Sequence, residues 1–217
     1  MILINPNSNS DTTAAMVAQA QAVLGNSVRV IGKTNTQAPP LLASPGDMQL
    51  AEQGVLQLGI QAEQVLRHLE QNGVIIIAAF SDPGLAILSE RVSVPVLGIG
   101  QSTLQEAAMG ERRFGIVTIT PNSDLLASFY TQAATLGLSN LYCGARVTQG
   151  EAQQLLANPE QLDLALASAI DELINDGAQA VILGGGPLAA AAERLQPQFN
   201  VPLLNPVAAA ARAAFKD

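Results

Sequence analysis

The sequence is short of most residues that advertise specialised chemistry. Among 217 residues there is no tryptophan, and there are two tyrosines, five phenylalanines, one histidine and one cysteine. The single cysteine, Cys143, excludes an internal disulfide framework and suits a reducing cytosol. The single histidine, His68, lies in a helical stretch with no second histidine or cysteine to partner it, so no metal site is expected. Charged residues make up only 13% of the chain, with a net charge of −8. No basic stripe exists to neutralise phosphates and few rings could stack on bases, which excludes nucleic acid as a partner. No apolar run approaches the roughly 20 residues of a membrane-spanning helix. Met1 leads straight into Ile2-Leu3-Ile4 without a charged leader, so a cytoplasmic protein with no membrane partner is expected.

What the chain does have is a high apolar content, 48%, arranged as short continuous runs alternating with helical periodicity. The organising stretch is Gly73 to Gly100. A buried strand (Val74 to Ala79) is followed by a polar turn, Phe80-Ser81-Asp82-Pro83-Gly84, then a short helix and a second strand, Val94 to Ile99. Residues Ala178 to Pro206 repeat this grammar. Leu85-Ala86 matches Leu188-Ala189 and Glu90-Arg91 matches Glu193-Arg194, at one offset of 103 (188 − 85). A second echo pairs Ile4-Asn-Pro-Asn-Ser8 with Ile119-Thr-Pro-Asn-Ser123, at an offset of 115 (119 − 4).

Along the chain, strands are expected at Met1 to Ile4, Val28 to Ile31, Phe114 to Ile119 and Leu141 to Val147, besides the two copies. Helices are expected after Ser10 or Asp11, over Gln49 to Gln71, after Ser102 or Thr103, over Asp124 to Leu136, after a Thr148/Glu151 capping box, over Leu162 to Asn175, and over Val207 to Phe215. Gly32 to Asp47 has no period and reads as a long loop of the kind that closes over a site. Apolar strands alternating with helices imply an α/β fold with mainly parallel sheets covered on both faces. Two collinear echoes imply internal duplication: two pseudosymmetric lobes, at 1–100 and 101–205, with a tail helix at 206–217 packing back on the first and a site in the cleft between them.

The candidate site is built from strand-end turns. Ligands of open α/β sheets bind outside the carboxyl ends of the strands, where helix amino ends favour anions. Asn5, Asn7, Ser8, Phe80, Ser81, Thr118, Thr120, Gly184, Gly186 and Pro187 are the expected substrate contacts; Asn5, Ser81 and Thr118 are read as touching ligand, whereas Ser10, Asp11 and Ser123 are read as helix caps. No cationic residue lies in these turns, so a small carboxylate or ureide held by amides and hydroxyls is the expected ligand. Gly184-Gly185-Gly186 lacks the lysine of a P-loop, and Gly98-x-Gly100 is a weaker signal still. Asp82 is the one carboxylate in these turns, either a base or a helix cap. Cys143, in a strand interior, reads as a small hydrophobe.

INPNS at the start, DPGLA at 82–86, VPVLGIG at 94–100, the RFGIVT strand and VILGG at 181–185 together resemble the aspartate/glutamate racemase superfamily, in its hydantoin/allantoin racemase branch. The resemblance spans nearly the whole chain. It implies two pseudosymmetric α/β lobes and cofactor-free proton transfer at the carbon α to a carbonyl, carried by two cysteines on opposite faces of the substrate. Those cysteines belong at Ala79 and Gly185, and neither residue exchanges protons, so a two-thiol mechanism is not available. The expectation is therefore a racemase-like isomerase with non-thiol acid/base groups, Asp82 first among them. The alternatives are a divergent decarboxylase or lyase on a similar ligand, and a non-catalytic small-molecule binding relative. The low charge is compatible with a homo-oligomer.

Overall fold

The computed structural model of the chain describes residues 1–42, 44–69, 72–185 and 188–215. The chain forms two compact units, Met1–Ile99 with the chain from Ala210 onward, and Gly100–Ala209. In the first unit β1 (Ile2–Asn5), β2 (Ile31–Thr34), β3 (Ile75–Ile77) and β4 (Val96–Gly98) make a four-stranded sheet in the order β2-β1-β3-β4. The intervening helices are α1 (Ser10–Leu24), α2 (Pro45–His68) and α3 (Leu85–Arg91), and α4 (Ile99–Ala107) starts directly after β4. In the second unit β5 (Phe114–Thr118), β6 (Tyr142–Val147), β7 (Ala180–Leu183) and β8 (Leu203–Leu204) are ordered β6-β5-β7-β8. Its helices are α5 (Ser123–Thr135), α6 (Ala152–Ala157), α7 (Pro159–Asn175) and α8 (Ala189–Leu195), and α9 (Pro206–Ala213) is divided between the two units at Ala209/Ala210. Every pairing is parallel. The architecture is α/β, with two parallel sheets of the same strand order flanked by helices.

The reason lies in the central strands. Ile2, Leu3 and Ile4 of β1 and Ile75, Ile76 and Ile77 of β3 are all 2% exposed or less. A strand buried on both faces needs a helix layer on each, and parallel pairing with helical crossovers supplies both. On one face of the first sheet, Ile2, Ile4, Ile75 and Ile77 pack with Val55, Leu66 and Leu88 from α2 and α3. In the second unit Val117, Val181 and Leu183 pack with Leu166, Ile170 and Leu173 of α7. Each such aliphatic side chain contributes about 1.5–3 kcal/mol by leaving water. Among the described residues no helix is long and apolar enough to cross a membrane.

The structure moves several expected boundaries, and each shift has a physical cause. The second strand is Ile31–Thr34 and not 28–31, because the Gln21 side chain donates its Nε2 to Val28 O and accepts from Val30 N–H at its Oε1, tying those residues to α1. β2 is an edge strand of alternating exposed and half-buried residues, so no apolar run announced it. The expected loop at 32–47 is correspondingly shorter: α2 begins at Pro45, with Ser44 and Asp47 forming a reciprocal cap. Asn9, not Ser10 or Asp11, caps α1, and Asn122 caps α5. Ser102 and Thr103 lie buried inside α4 and not at its start. The Thr148/Glu151 box does not form: Glu151 makes no side-chain cap bond, and Thr148 Oγ1 is buried without a partner.

One buried polar residue ties β2, α2 and the β1 turn together. Asn35 is 2% exposed; its Nδ2 donates to Pro6 O at 3.0 Å and Leu50 O at 3.2 Å, and its Oδ1 accepts from Gln37 N at 3.2 Å. Gly54 of α2 lies against this amide, and a Cβ there would overlap it. Gly54→Ala must therefore expel the Asn35 side chain and orphan these partners. It is expected to lower stability by about 2–4 kcal/mol in urea unfolding; a loss under about 0.5 kcal/mol would contradict the packing.

Candidate active site

The carboxyl end of the first sheet is held by Asn5. It closes β1 with no exposed surface. Its Nδ2 faces three acceptors, Asn7 Oδ1 at 2.9 Å and Asn9 O and Thr13 Oγ1 at 3.0 Å, while its Oδ1 accepts from Asn7 N at 3.2 Å. Thr13 Oγ1 in turn lies 2.8 Å from Thr34 Oγ1 at the end of β2. Asn7 Oδ1 also accepts from Asn9 N at 3.0 Å. The side chains of Asn5 and Asn7 are thus spent on the turn and on α1. Asn5, expected to touch ligand, is enclosed as the holder of that turn. Ser8 beside it is half-buried, its N–H donating to Pro39 O at 3.3 Å.

In the second unit Thr118 closes β5 in the same way. It is 1% exposed and its Oγ1 accepts from Thr120 N at 3.3 Å, two residues on, as Asn5 accepts from Asn7. Asn5 and Thr118 are 113 apart (118 − 5), as are the helix caps Asn9 and Asn122 (122 − 9). The Asn-Pro-Asn-Ser echo at 115 is therefore two residues out of structural register. Asn5 corresponds to Thr118 and Asn7 to Thr120, and Thr120 itself is exposed.

The turns after β3 and β7 also correspond. Ala78 N donates to Ile4 O and Gly184 N to Val117 O, each at 2.8 Å. Counting from these strand ends, Ala79 and Gly185 are equivalent, each two residues past the last strand residue. Counting back from the helices gives another match: Leu85 N donates to Asp82 O at 3.2 Å and Leu188 N to Gly185 O at 3.0 Å. The first turn is thus three residues longer, and the extra length carries Phe80, Ser81 and Asp82. These three and Ala79 are half-buried. Asp82 has φ 48°, in the left-handed region that aspartate tolerates better than most residues, and its N–H donates to Ala79 O at 2.9 Å. Its carboxyl group lies directly on Gly98 at the end of β4. Gly184 is buried, and a Cβ there would meet Ile116 Cγ2 at 2.9 Å. Gly186 and Pro187 lie outside the described residues.

Sequence reasoning dismissed Gly98 as part of a weak glycine pair; its partner, Asp82, is distant in sequence, and only tertiary packing shows the contact. Asn35 was hidden in an apparent loop. Among the described residues, no group of three histidine, cysteine or acidic side chains converges to hold a metal ion.

Cys143 stands apart from the turns. Phe114 pairs with Tyr142 and Gly115 with Gly144, so Cys143 is the extra residue of a bulge at the start of β6. The carboxyl end of that strand is four residues away, roughly 13 Å at about 3.3 Å per residue. Cys143 packs against the core beneath α7. Burial pushes its thiol up, opposed by the nearby Arg113 guanidinium.

Two parallel α/β units of equal strand order each carry polar turns at the carboxyl ends of their central strands. The profile of the Asp/Glu/Hydantoin racemase family matches residues 1–214, and the chain belongs to that family. It is 30% identical to a hydantoin racemase of Rhizobium meliloti over 220 residues, covering 98% of this chain and 86% of that protein. Its fold is similar to that of the allantoin racemase from Klebsiella pneumoniae, with a TM-score of 0.82 and 27% identity over 98% of this chain and 84% of that one. Arylmalonate decarboxylase shares the fold at a TM-score of 0.69 and 14% identity, covering 98% of this chain and 91% of that one.

The environment of Cys143 sets its reactivity. A thiol that burial pushes above its ordinary range supplies little thiolate near neutrality, so alkylation by iodoacetamide at about pH 7.5 should run slower than for a free thiol and climb as the solution is made more alkaline. A reaction midpoint below about pH 8 would contradict the burial of this side chain.

Proposed function

We propose that the chain is a cofactor-independent, racemase-like isomerase. It acts at the carbon α to a carbonyl of a small amino-acid derivative, a hydantoin, allantoin or related carboxylate, with Asp82 as the proton-transfer group. The observation that carries the reading is the match to the racemase family over nearly the whole chain, including a 30% identical hydantoin racemase. The turns fit such a ligand. They hold hydroxyl and amide groups but no lysine, arginine or histidine, and the amino ends of α1 and α5 follow two of them, where unpaired N–H groups favour a carboxylate or a developing enolate.

The chemistry balances without a cofactor. The Asp82 carboxylate takes the proton from C5 of the ring, and the C–H electron pair moves into the adjacent carbonyl as an enolate held by N–H donors. Return of a proton to the opposite face, from water, inverts the centre, and the hydroxide left takes up the proton held on Asp82; return from Asp82 to the same face restores the centre. Inversion exchanges the C5 hydrogen with solvent, and same-face return does so once the proton held on Asp82 has traded with water. The relatives' family implies thiols at Ala79 and Gly185, and with alanine and glycine there the acid/base work falls to oxygen groups. That same observation favours one second reading, a non-catalytic relative that binds such ligands.

The test is loss of the C5–H signal of allantoin and 5-substituted hydantoins by NMR in D₂O, above the protein-free rate. Catalysed exchange is expected to survive alkylation of Cys143 and to fall about 10²–10⁴-fold in Asp82→Asn. Exchange that persists in Asp82→Asn removes Asp82 as the base. Ligand signals that shift on adding protein, with no exchange, establish the binding relative instead.

A further inference from the structure

We propose that Gly98 is a positioning residue that seats the Asp82 carboxylate, an inference that rests on reading Asp82 as the proton-transfer group. A Cβ built on Gly98 would overlap Cγ, Oδ1 and Oδ2 of Asp82 together, so the whole carboxyl group lies flat on the Cα of the last β4 residue. Backbone conformation does not require glycine here, because Gly98 is absent from the residues with positive φ. It is glycine for space, not for freedom. The carboxylate above it is fixed at its own backbone too: Asp82 lies between its N–H bond to Ala79 O at 2.9 Å and the Leu85 N–H bond to its carbonyl at 3.2 Å.

The second unit provides an internal control. Ile76 pairs with Leu97 in the first sheet, and Ile182 with Leu204 in the second, so the residue equivalent to Gly98 is Asn205. There the preceding turn is three residues shorter and has no counterpart of the Asp82 side chain. Asn205 carries a full side chain, 5% exposed, whose Oδ1 accepts from Val207 N at 2.9 Å and Ala208 N at 3.2 Å. The strand end as such therefore accommodates a side chain. Glycine appears where a carboxylate from the turn takes that place. Held against a backbone carbon and fixed at both of its own peptide groups, the carboxylate has few rotamers to choose among, which is the order a proton-transfer group needs before substrate arrives.

The test is Gly98→Ala, read in three ways. With carbon-13 aspartate labelling, the Asp82 carboxyl resonance, identified by its loss in Asp82→Asn, should move in Gly98→Ala, and its titration midpoint should shift. The C5 exchange rate should fall about tenfold or more in kcat with KM little changed. The Tm of Gly98→Ala should drop by ~4 °C or more, and this cost should vanish in an Asp82→Gly background, where nothing occupies the seat. A single variant that fails to fold while the double variant folds also supports the seat. An unmoved Asp82 resonance and midpoint, or the same Tm cost in both backgrounds, overturns it. A displaced carboxylate with unchanged kcat reduces Gly98 to a packing residue and overturns the positioning role. Should the wild-type chain catalyse no exchange, the proposed reaction falls, while the titration and the double variant still decide the seat.

Discussion

A strand covered on both faces must deliver its chain to a helix without leaving polar backbone unpaired in the interior, and the structure turns on how β1 meets that demand. Asn5 stands at the point where the sheet stops supplying partners. Its amide satisfies the turn from within, holding Asn7, the Asn9 carbonyl and Thr13, and through Thr13 the end of β2. A buried amide is stabilising only when its donors and acceptors are met, since each orphaned group costs about 1–3 kcal/mol. One satisfied side chain thus joins the carboxyl end of β1, the start of α1 and the end of β2. Thr118 does the same for the second sheet with fewer bonds, which suits a hydroxyl that carries one donor where an amide carries two.

The two units share a frame but not a chemistry. Their central strands, strand order and first turns correspond closely, whereas the turns after β3 and β7 differ by three residues. That difference is what places a carboxylate in one unit and leaves the other with glycine. Gly185 has φ 156°, a conformation that side-chained residues rarely adopt, so the second turn follows a path open to glycine.

Much of this frame was legible in the sequence because the inner strands are unbroken apolar runs. Ile2 to Ile4, Ile75 to Ile77, Phe114 to Val117 and Val181 to Leu183 could scarcely be read otherwise. β2 was misplaced because Ile31-Gly-Lys-Thr34 is an edge strand with half its residues exposed, and exposure removes the apolar signal. The caps of α1 and α5 were placed one or two residues late because Asn-Ser-Asp at each helix start offers adjacent side chains of similar capping strength, and only backbone geometry chooses between them. The Asn-Pro-Asn-Ser echo slipped by two because turn composition repeats for reasons of its own; proline and asparagine are common wherever a strand turns into a helix. Of the candidate site, the Asp82 turn was visible and its seat was not. Nothing in the local sequence at Gly98 says which side chain lies above it.

The place of the one cysteine bears on what chemistry the fold can carry. A thiol serves proton transfer only where substrate carbon can approach it and where its thiolate is stabilised. Cys143 meets neither condition, being at the opposite end of an edge strand from the turns and desolvated against the α7 core. Rotamer changes move a sulfur by a few ångströms, not by the roughly 13 Å of four strand residues, and the bulge that places Cys143 is fixed by pairing on either side of it. The proposed carbanion chemistry therefore rests on oxygen acids and bases. A carboxylate is a weaker base than a thiolate toward a carbon acid, so the proposed Asp82 chemistry calls for a substrate whose carbanion is already stabilised by a flanking carbonyl within a planar ring. Hydantoin-type rings have that property, whereas a free amino acid, with an ionised carboxylate beside the reacting carbon, does not.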